Sequence, residues 1–156
     1  MIKSKAILCK FICKGKQYMI IMIVDGQGGG IGKALVEKLS RALAKNEKCE
    51  IVAVGTNSIA TAAMIKAGAL SAATGENAVI YNAARAHIIA GAIGIISANS
   101  MLGELSPKMA EAIGTSKAVK ILIPLNRCNL QVVGTENTTL PQKIDEAVKN
   151  ILEYIK

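Results

Sequence analysis

The 156-residue chain is long enough for one ordinary domain with a buried core and short for two. Hydrophobic residues make up 51%, with one Phe, three Tyr and no Trp. That composition predicts an aliphatic core and excludes an aromatic platform for stacking single-stranded nucleic acid. The formal charge of +8 is concentrated at one end: Lys3, Lys5, Lys10, Lys14 and Lys16 stand there without an acid, and the rest of the chain sets fourteen basic against eleven acidic residues. A net of +3 on the folding part is too little for a DNA-binding face.

Residues 1–18 are expected to be a basic extension outside the fold, disordered or a mis-assigned start, with one domain over 19–156. The apolar stretch 6–13 is short, is interrupted by Lys10, lacks a small-residue cleavage site and cannot span a bilayer. Cys9, Cys13, Cys49 and Cys128 form no disulfide framework, and the C-x3-C spacing of the first two has no second pair to complete a zinc site. Unpaired thiols fit a reducing cytoplasm, the expected location.

In chain order, residues 18–24 (YMIIMIV) read as a strand covered on both faces. Ile31, Ala34, Leu35, Leu39, Ala42 and Leu43 then recur at helical spacing, with Lys33, Glu37, Lys38, Arg41 and Lys45 opposite. Residues 50–55 (EIVAVG) are the second strand, and Ser58 opens a helix stopped by Gly68. A short third strand is expected at 69–72, a helix at about 75–85, and a strand over 87–97 bent at Gly91 and Gly94. Ser106-Pro107 supplies a helix cap and a first-turn proline, with Gly114 near the end. Residues 119–125 form a buried strand, 130–133 a last short one, and Thr139-Leu140-Pro141-Gln142 a capping box that opens the closing helix. Strands alternating with helices imply a three-layer, Rossmann-like α/β domain with a mostly parallel, doubly wound sheet.

The most informative stretch is Asp25-Gly26-Gln27-Gly28-Gly29-Gly30-Ile31-Gly32-Lys33. Five glycines in seven positions are entropically costly in a plain connector. Missing side chains let backbone approach an anion, and the free amides and dipole of a helix start attract it. Gly26-x-x-x-Gly30-Ile31-Gly32 resembles the turn of short-chain dehydrogenases, which implies a pyrophosphate of NAD or NADP. Gly29-Gly30-Ile31-Gly32-Lys33 is similar to the core of deviant Walker ATPases, which implies ATP.

Each pattern lacks partners. In place of a Tyr-x-x-x-Lys pair there is only Tyr81-x-x-x-Arg85, too early in the chain. Thr56, Asn57 and Ser58 stand where a ribose-binding carboxylate is usual. Ala34 replaces the magnesium-holding hydroxyl, and residues 87–97 and 119–125 contain no Walker-B acid. Asp25 would repel a phosphate unless its oxygens accept from the turn's own amides, the preferred role.

Ligands of open α/β sheets sit beyond the carboxyl ends of the strands. That rule gathers Thr56, Asn57, Ser58, Ser97, Asn99, Ser100, Asn126 and Arg127 near the turn, with Arg127 a candidate bidentate clamp. His87 opens a strand and is expected to be structural. No catalytic set can be assembled, and no metal site is expected.

DGQGGGIGKALVEKL, VGTNSIATAAMIKAGA, TGENA and IPLNRCN together resemble a family of small bacterial proteins of unknown function, described as Rossmann-like and nucleotide-binding. The resemblance runs over about residues 19–155 and carries no catalytic residue with it. The expected ligand-binding set is Gly26, Gln27, Gly28, Gly29, Gly30, Ile31, Gly32, Lys33, Thr56, Asn57, Ser58, Asn99, Asn126 and Arg127. The expected ligand is NAD or NADP, for a sensor or partial oxidoreductase. ATP or GTP held by Lys33, and another anion such as coenzyme A on a scaffold module, are the alternatives. A homo-oligomer is expected, and nucleic-acid and membrane partners are not.

Overall fold

Residues 18–126, 129–135 and 137–156 are described by a computed structural model. The elements are β1 (Met19–Asp25), α1 (Gly30–Ala42), β2 (Cys49–Gly55), α2 (Ser58–Lys66), β3 (Ser71–Thr74), α3 (Glu76–Ala83), β4 (Ile88–Ala92), α4 (Pro107–Thr115), β5 (Val119–Ile123) and α5 (Leu140–Ile155). The five strands are all parallel, in the order β3-β2-β1-β4-β5. The expected Rossmann-like α/β architecture is the one observed. The basic extension and residues Arg127 and Cys128 fall outside the described residues, apart from Tyr18.

β1 lies at the centre of the sheet, which explains its unbroken apolar run. Ile21 and Ile23 face one layer, where they pack with Leu35, Leu39, Met64 and Ile151 from α1, α2 and α5. Met22 and Val24 face the other, with Val79 of α3 and Met109 and Ile113 of α4. All four β1 side chains are fully buried, each stabilising the fold by about 1.5–3 kcal/mol. Alternate residues thus serve two cores, and no polar residue is tolerated until Asp25.

Four expected strands differ from those observed. Residues 87–97 form a strand only as far as Ala92, and 93–96 then coil into a single 3₁₀ turn. β4 pairs with β1 up to Val24↔Gly91 and with β5 up to Ala92↔Ile123. Beyond those pairs both neighbours leave the sheet, so the chain has no ladder to join and instead buries Ile95 beneath itself. Residues 130–133 form no strand. The Val132 N–H donates to Asn126 Oδ1, the Val132 carbonyl accepts from the Thr135 hydroxyl, and Val133 is exposed. Side chains satisfy this backbone locally. β3 is also displaced two residues along the chain, to Ser71–Thr74, and β5 stops at Ile123.

The closing helix begins as its sequence indicates. Thr139 Oγ1 accepts from the Gln142 N–H and Gln142 Oε1 accepts from the Thr139 N–H at 2.9 Å. Thr139→Ala is expected to lower stability by about 1 kcal/mol, read as a fall of about 2–4 °C in a circular-dichroism melt. An unchanged melting temperature would show that the packing of Ile144, Ala147 and Ile151 alone sets this helix.

Candidate functional site

β1 ends on Asp25 at the middle of the sheet, and residues 26–29 turn the chain into α1. β2 continues the sheet on one side of β1 and β4 on the other, so the loops after β1 and β4 diverge. This is the topological switch point, where parallel α/β sheets open a crevice.

The glycines of the turn divide by what surrounds them. A side chain on Gly26 would stand 2.6 Å from Met101 Sδ and from Thr56 Oγ1. One on Gly32 would stand 2.6 Å from Met64 Sδ and 2.7 Å from Asp25 Cβ. Gly29 caps α1 with φ of 71° and would press a Cβ to within 2.7 Å of the Ala60 Cα. Close packing therefore accounts for these three. A side chain on Gly28 or Gly30, both exposed, would meet no other segment within 4 Å.

Two carboxylates reach the same turn. Asp25, 5% exposed, accepts from the Gly26 N–H at 2.8 Å through Oδ1 and from the Gly32 N–H at 2.6 Å through Oδ2. It thereby takes the role preferred for it from the sequence, that of an internal acceptor at the positive end of α1. Burial pushes its carboxyl above the usual aspartate range, against the pull of the Gly32, Gly26 and Ile31 amides.

The second is Glu104, from the loop that follows β4. Its Oε2 accepts from the Gln27 N–H at 2.8 Å, the Thr56 hydroxyl at 2.7 Å and Asn57 Nδ2 at 2.8 Å. Those donors, the Gln27 amide foremost, hold its carboxyl below the usual glutamate range. Asn57 also donates to the Gln27 carbonyl at 3.0 Å and caps α2 by accepting from the Ala60 N–H at 2.9 Å. Among the described residues, the amides of Gly28 and Gly30 have no hydrogen-bond partner.

Of the expected set, the structure thus gathers residues 26–32, Thr56 and Asn57 at the carboxyl ends of β1 and β2. Ile31 packs partly into the first core layer, and Ser58 is exposed at the first position of α2. Lys33 points along the outside of the domain, lining a groove with Glu37, Ser40, Arg41 and Lys66 between α1 and α2. Asn99 is exposed on the loop after β4, and its N–H donates to the Leu105 carbonyl. Ser100 is buried and donates to the Gly94 carbonyl at 2.6 Å. Asn126, beyond β5, is engaged with Val132.

Outside the crevice, His87 Nδ1 accepts from the Ile20 N–H at 3.0 Å, tying β4 to β1. Tyr81 and Arg85 pair with each other on the exposed surface at the end of α3. Cys49 is a half-buried free thiol at the start of β2. Among the described residues no three His, Cys, Asp or Glu side chains come together to hold a metal, and no helix is long and apolar enough to cross a membrane.

Sequence reasoning missed Glu104. The signal was present: it is the only charged side chain between His87 and Lys108, in the long loop leaving the strand beside β1. Its reach of 77 residues back to Gln27 could not be read from spacing.

The fold is shared with a solved structure. The chain is 13% identical to a dodecameric FMN-dependent UbiX-like decarboxylase from Escherichia coli O157:H7, with a TM-score of 0.51, covering 87% of this chain and 94% of that one. A universal stress protein in complex with cAMP is 16% identical, with a TM-score of 0.39, covering 70% of this chain and 98% of that one. No curated protein matches the chain in sequence. A family model matches residues 20–156, and the chain belongs to that family, described as a domain of unknown function (DUF3842).

Proposed function

We propose that this protein binds a nucleotide at the crevice between the loops after β1 and β4, with NAD or NADP preferred to ATP, and acts as a sensor or partial oxidoreductase. One observation carries the reading. The exposed amides of Gly28 and Gly30, unpartnered among the described residues, stand at the switch point of a parallel sheet, with open space where a Cβ would lie on either glycine. Thr56 and Asn57, at the end of β2, are the side chains placed to meet a ribose or its phosphate. The outward direction of Lys33 favours this reading over an ATP or GTP switch, in which that lysine would reach the phosphates. Coenzyme A would use the same amides through its pyrophosphate. Self-association, expected for this chain, is tested by sedimentation analysis; a monomer would refute it.

The test is a thermal-shift panel of NAD, NADP, ATP, GTP, coenzyme A and FMN, the last included because the decarboxylase of like fold is named for it. At a hundredfold excess over Kd, a ligand adds about 2.7 kcal/mol, or about 5–10 °C for a domain of this size. Gly30→Val points into open space and is expected to leave the melting temperature of the free protein within about 2 °C while abolishing the ligand shift. If no ligand raises the melting temperature, and Gly30→Val alters nothing, the nucleotide reading is wrong.

A further inference from the structure

Three donors at the turn are already in use. Gln27 N–H, Thr56 Oγ1 and Asn57 Nδ2 come from two separate loops, and all three converge on the single oxygen Oε2 of Glu104. Three donors around one anionic oxygen is the arrangement a phosphate or carboxylate ligand requires. The carboxylate rests directly on the turn, since a side chain on Gly26 would stand 3.0 Å from Oε2. Asp25, itself buried beneath, brings a second carboxylate to the same place. A phosphate could not join these two at the same donors without like-charge repulsion in a partly desolvated site.

The loop that carries Glu104 has the form of a held arm. Met101 and Leu105 anchor it in the second core layer, 8% and 0% exposed. Between these anchors Leu102 is 99% exposed and contributes nothing to the core. Asn99, Met101 and Leu102 all lie in the left-handed region, with φ of 63°, 56° and 58°. Side chains disfavour that conformation, and it persists where surrounding contacts enforce it. The Glu104 bonds are the contacts that tie the arm to the far side of the crevice.

We propose that Glu104 is a built-in occupant of the crevice, an internal anion that holds the donors an incoming phosphate would use. Ligand binding then requires the arm to carry Glu104 away, so the protein alternates between a self-closed state and a ligand-bound one. The inference rests on the nucleotide reading above and adds its regulation: apparent affinity is the intrinsic affinity reduced by the fraction of molecules in which Glu104 is withdrawn.

The experiment compares the full chain with Glu104→Ala and Glu104→Gln, the second keeping the shape of the side chain while removing its charge. Two readouts are taken: hydrogen exchange of the Gln27 amide in free protein, and calorimetric titration with NADP and with inorganic pyrophosphate. In Glu104→Ala the Gln27 amide is expected to exchange at least about tenfold faster, and both probes to bind about tenfold more tightly. Equal or weaker binding by both variants would overturn the proposal and make Glu104 a fixed structural clamp. If neither probe binds any of the three proteins, the nucleotide reading falls. The gating role of Glu104 then falls with the ligand it was to exclude, and faster Gln27 exchange marks Glu104 as a structural clamp only.

Discussion

Asp25→Ala is expected to destabilise the protein by about 3 kcal/mol, lowering the melting temperature by about 10 °C. The carboxylate is 5% exposed and accepts from the Gly26 and Gly32 amides. Alanine leaves both donors without an acceptor in a place water cannot readily reach, and each buried unpaired amide costs about 1–3 kcal/mol. It also removes the negative charge that sits against the positive end of α1. Chemical denaturation followed by circular dichroism measures the effect. A loss below about 0.5 kcal/mol would mean that the amides find other partners.

The same group sets the direction of a pH dependence. Burial raises the Asp25 carboxyl above its ordinary range, and the nearby Glu104 charge adds to the rise. The folded chain therefore holds this proton more tightly than the unfolded chain. The stabilisation from Asp25 is full below the ordinary aspartate range and declines as pH rises through the raised value. The advantage of wild type over Asp25→Ala is accordingly expected to be greater at about pH 4 than at about pH 7. Glu104 runs the opposite way. Its carboxyl is lowered by the Gln27 amide and the Thr56 hydroxyl, so its contribution is full above the ordinary glutamate range and lost as pH falls through the lowered value. The stability gap between wild type and Glu104→Gln should therefore close in acid, and a gap that widened would contradict the hydrogen bonding described.

The second large effect is expected at Gly29. Gly29→Ala meets two obstacles: a backbone φ of 71°, and a Cβ within 2.7 Å of the Ala60 Cα. The first costs about 1–2 kcal/mol and the second about 1–3 kcal/mol, because main chain cannot swing aside as a methionine side chain can. A total of about 3 kcal/mol is expected. Gly30→Ala, one residue on and in open space, is expected to be neutral or to stabilise by up to about 1 kcal/mol, through helix propensity and a less flexible unfolded chain. Urea unfolding of the pair reads the difference directly. Equal effects at the two positions would refute the division of the turn into packed and open glycines.

Much of the fold was legible because it depends on local pattern. The two-sided apolar run of β1, the helical spacing of α1 and the capping box of α5 each announce themselves within a few residues. The errors fell where pairing partners decide. Residues 93–97 are as apolar as the strand before them, but they extend past the ends of β1 and β5 and have nothing to pair with. Residues 130–133 carry strand-forming side chains, yet Asn126 takes the Val132 amide before any strand can. In the site, the role of Asp25 was legible because its donors lie within seven residues. Glu104 was not, because its donors lie 47 to 77 residues away.

The glycine-rich turn shows the same division. Sequence alone determined that residues 26–32 join a buried strand to a helix through a turn unusually rich in glycine. Only the tertiary structure decided why: Met101, Ala60 and Met64 press on Gly26, Gly29 and Gly32, and Gly28 and Gly30 remain open. It also decided that the helix start is met from within by one carboxylate and the adjoining turn closed by another. The physical reason is that hydrophobic periodicity and capping act over a turn or two of chain. Close approach and charge pairing depend instead on segments brought together when β4 crosses to the other side of β1.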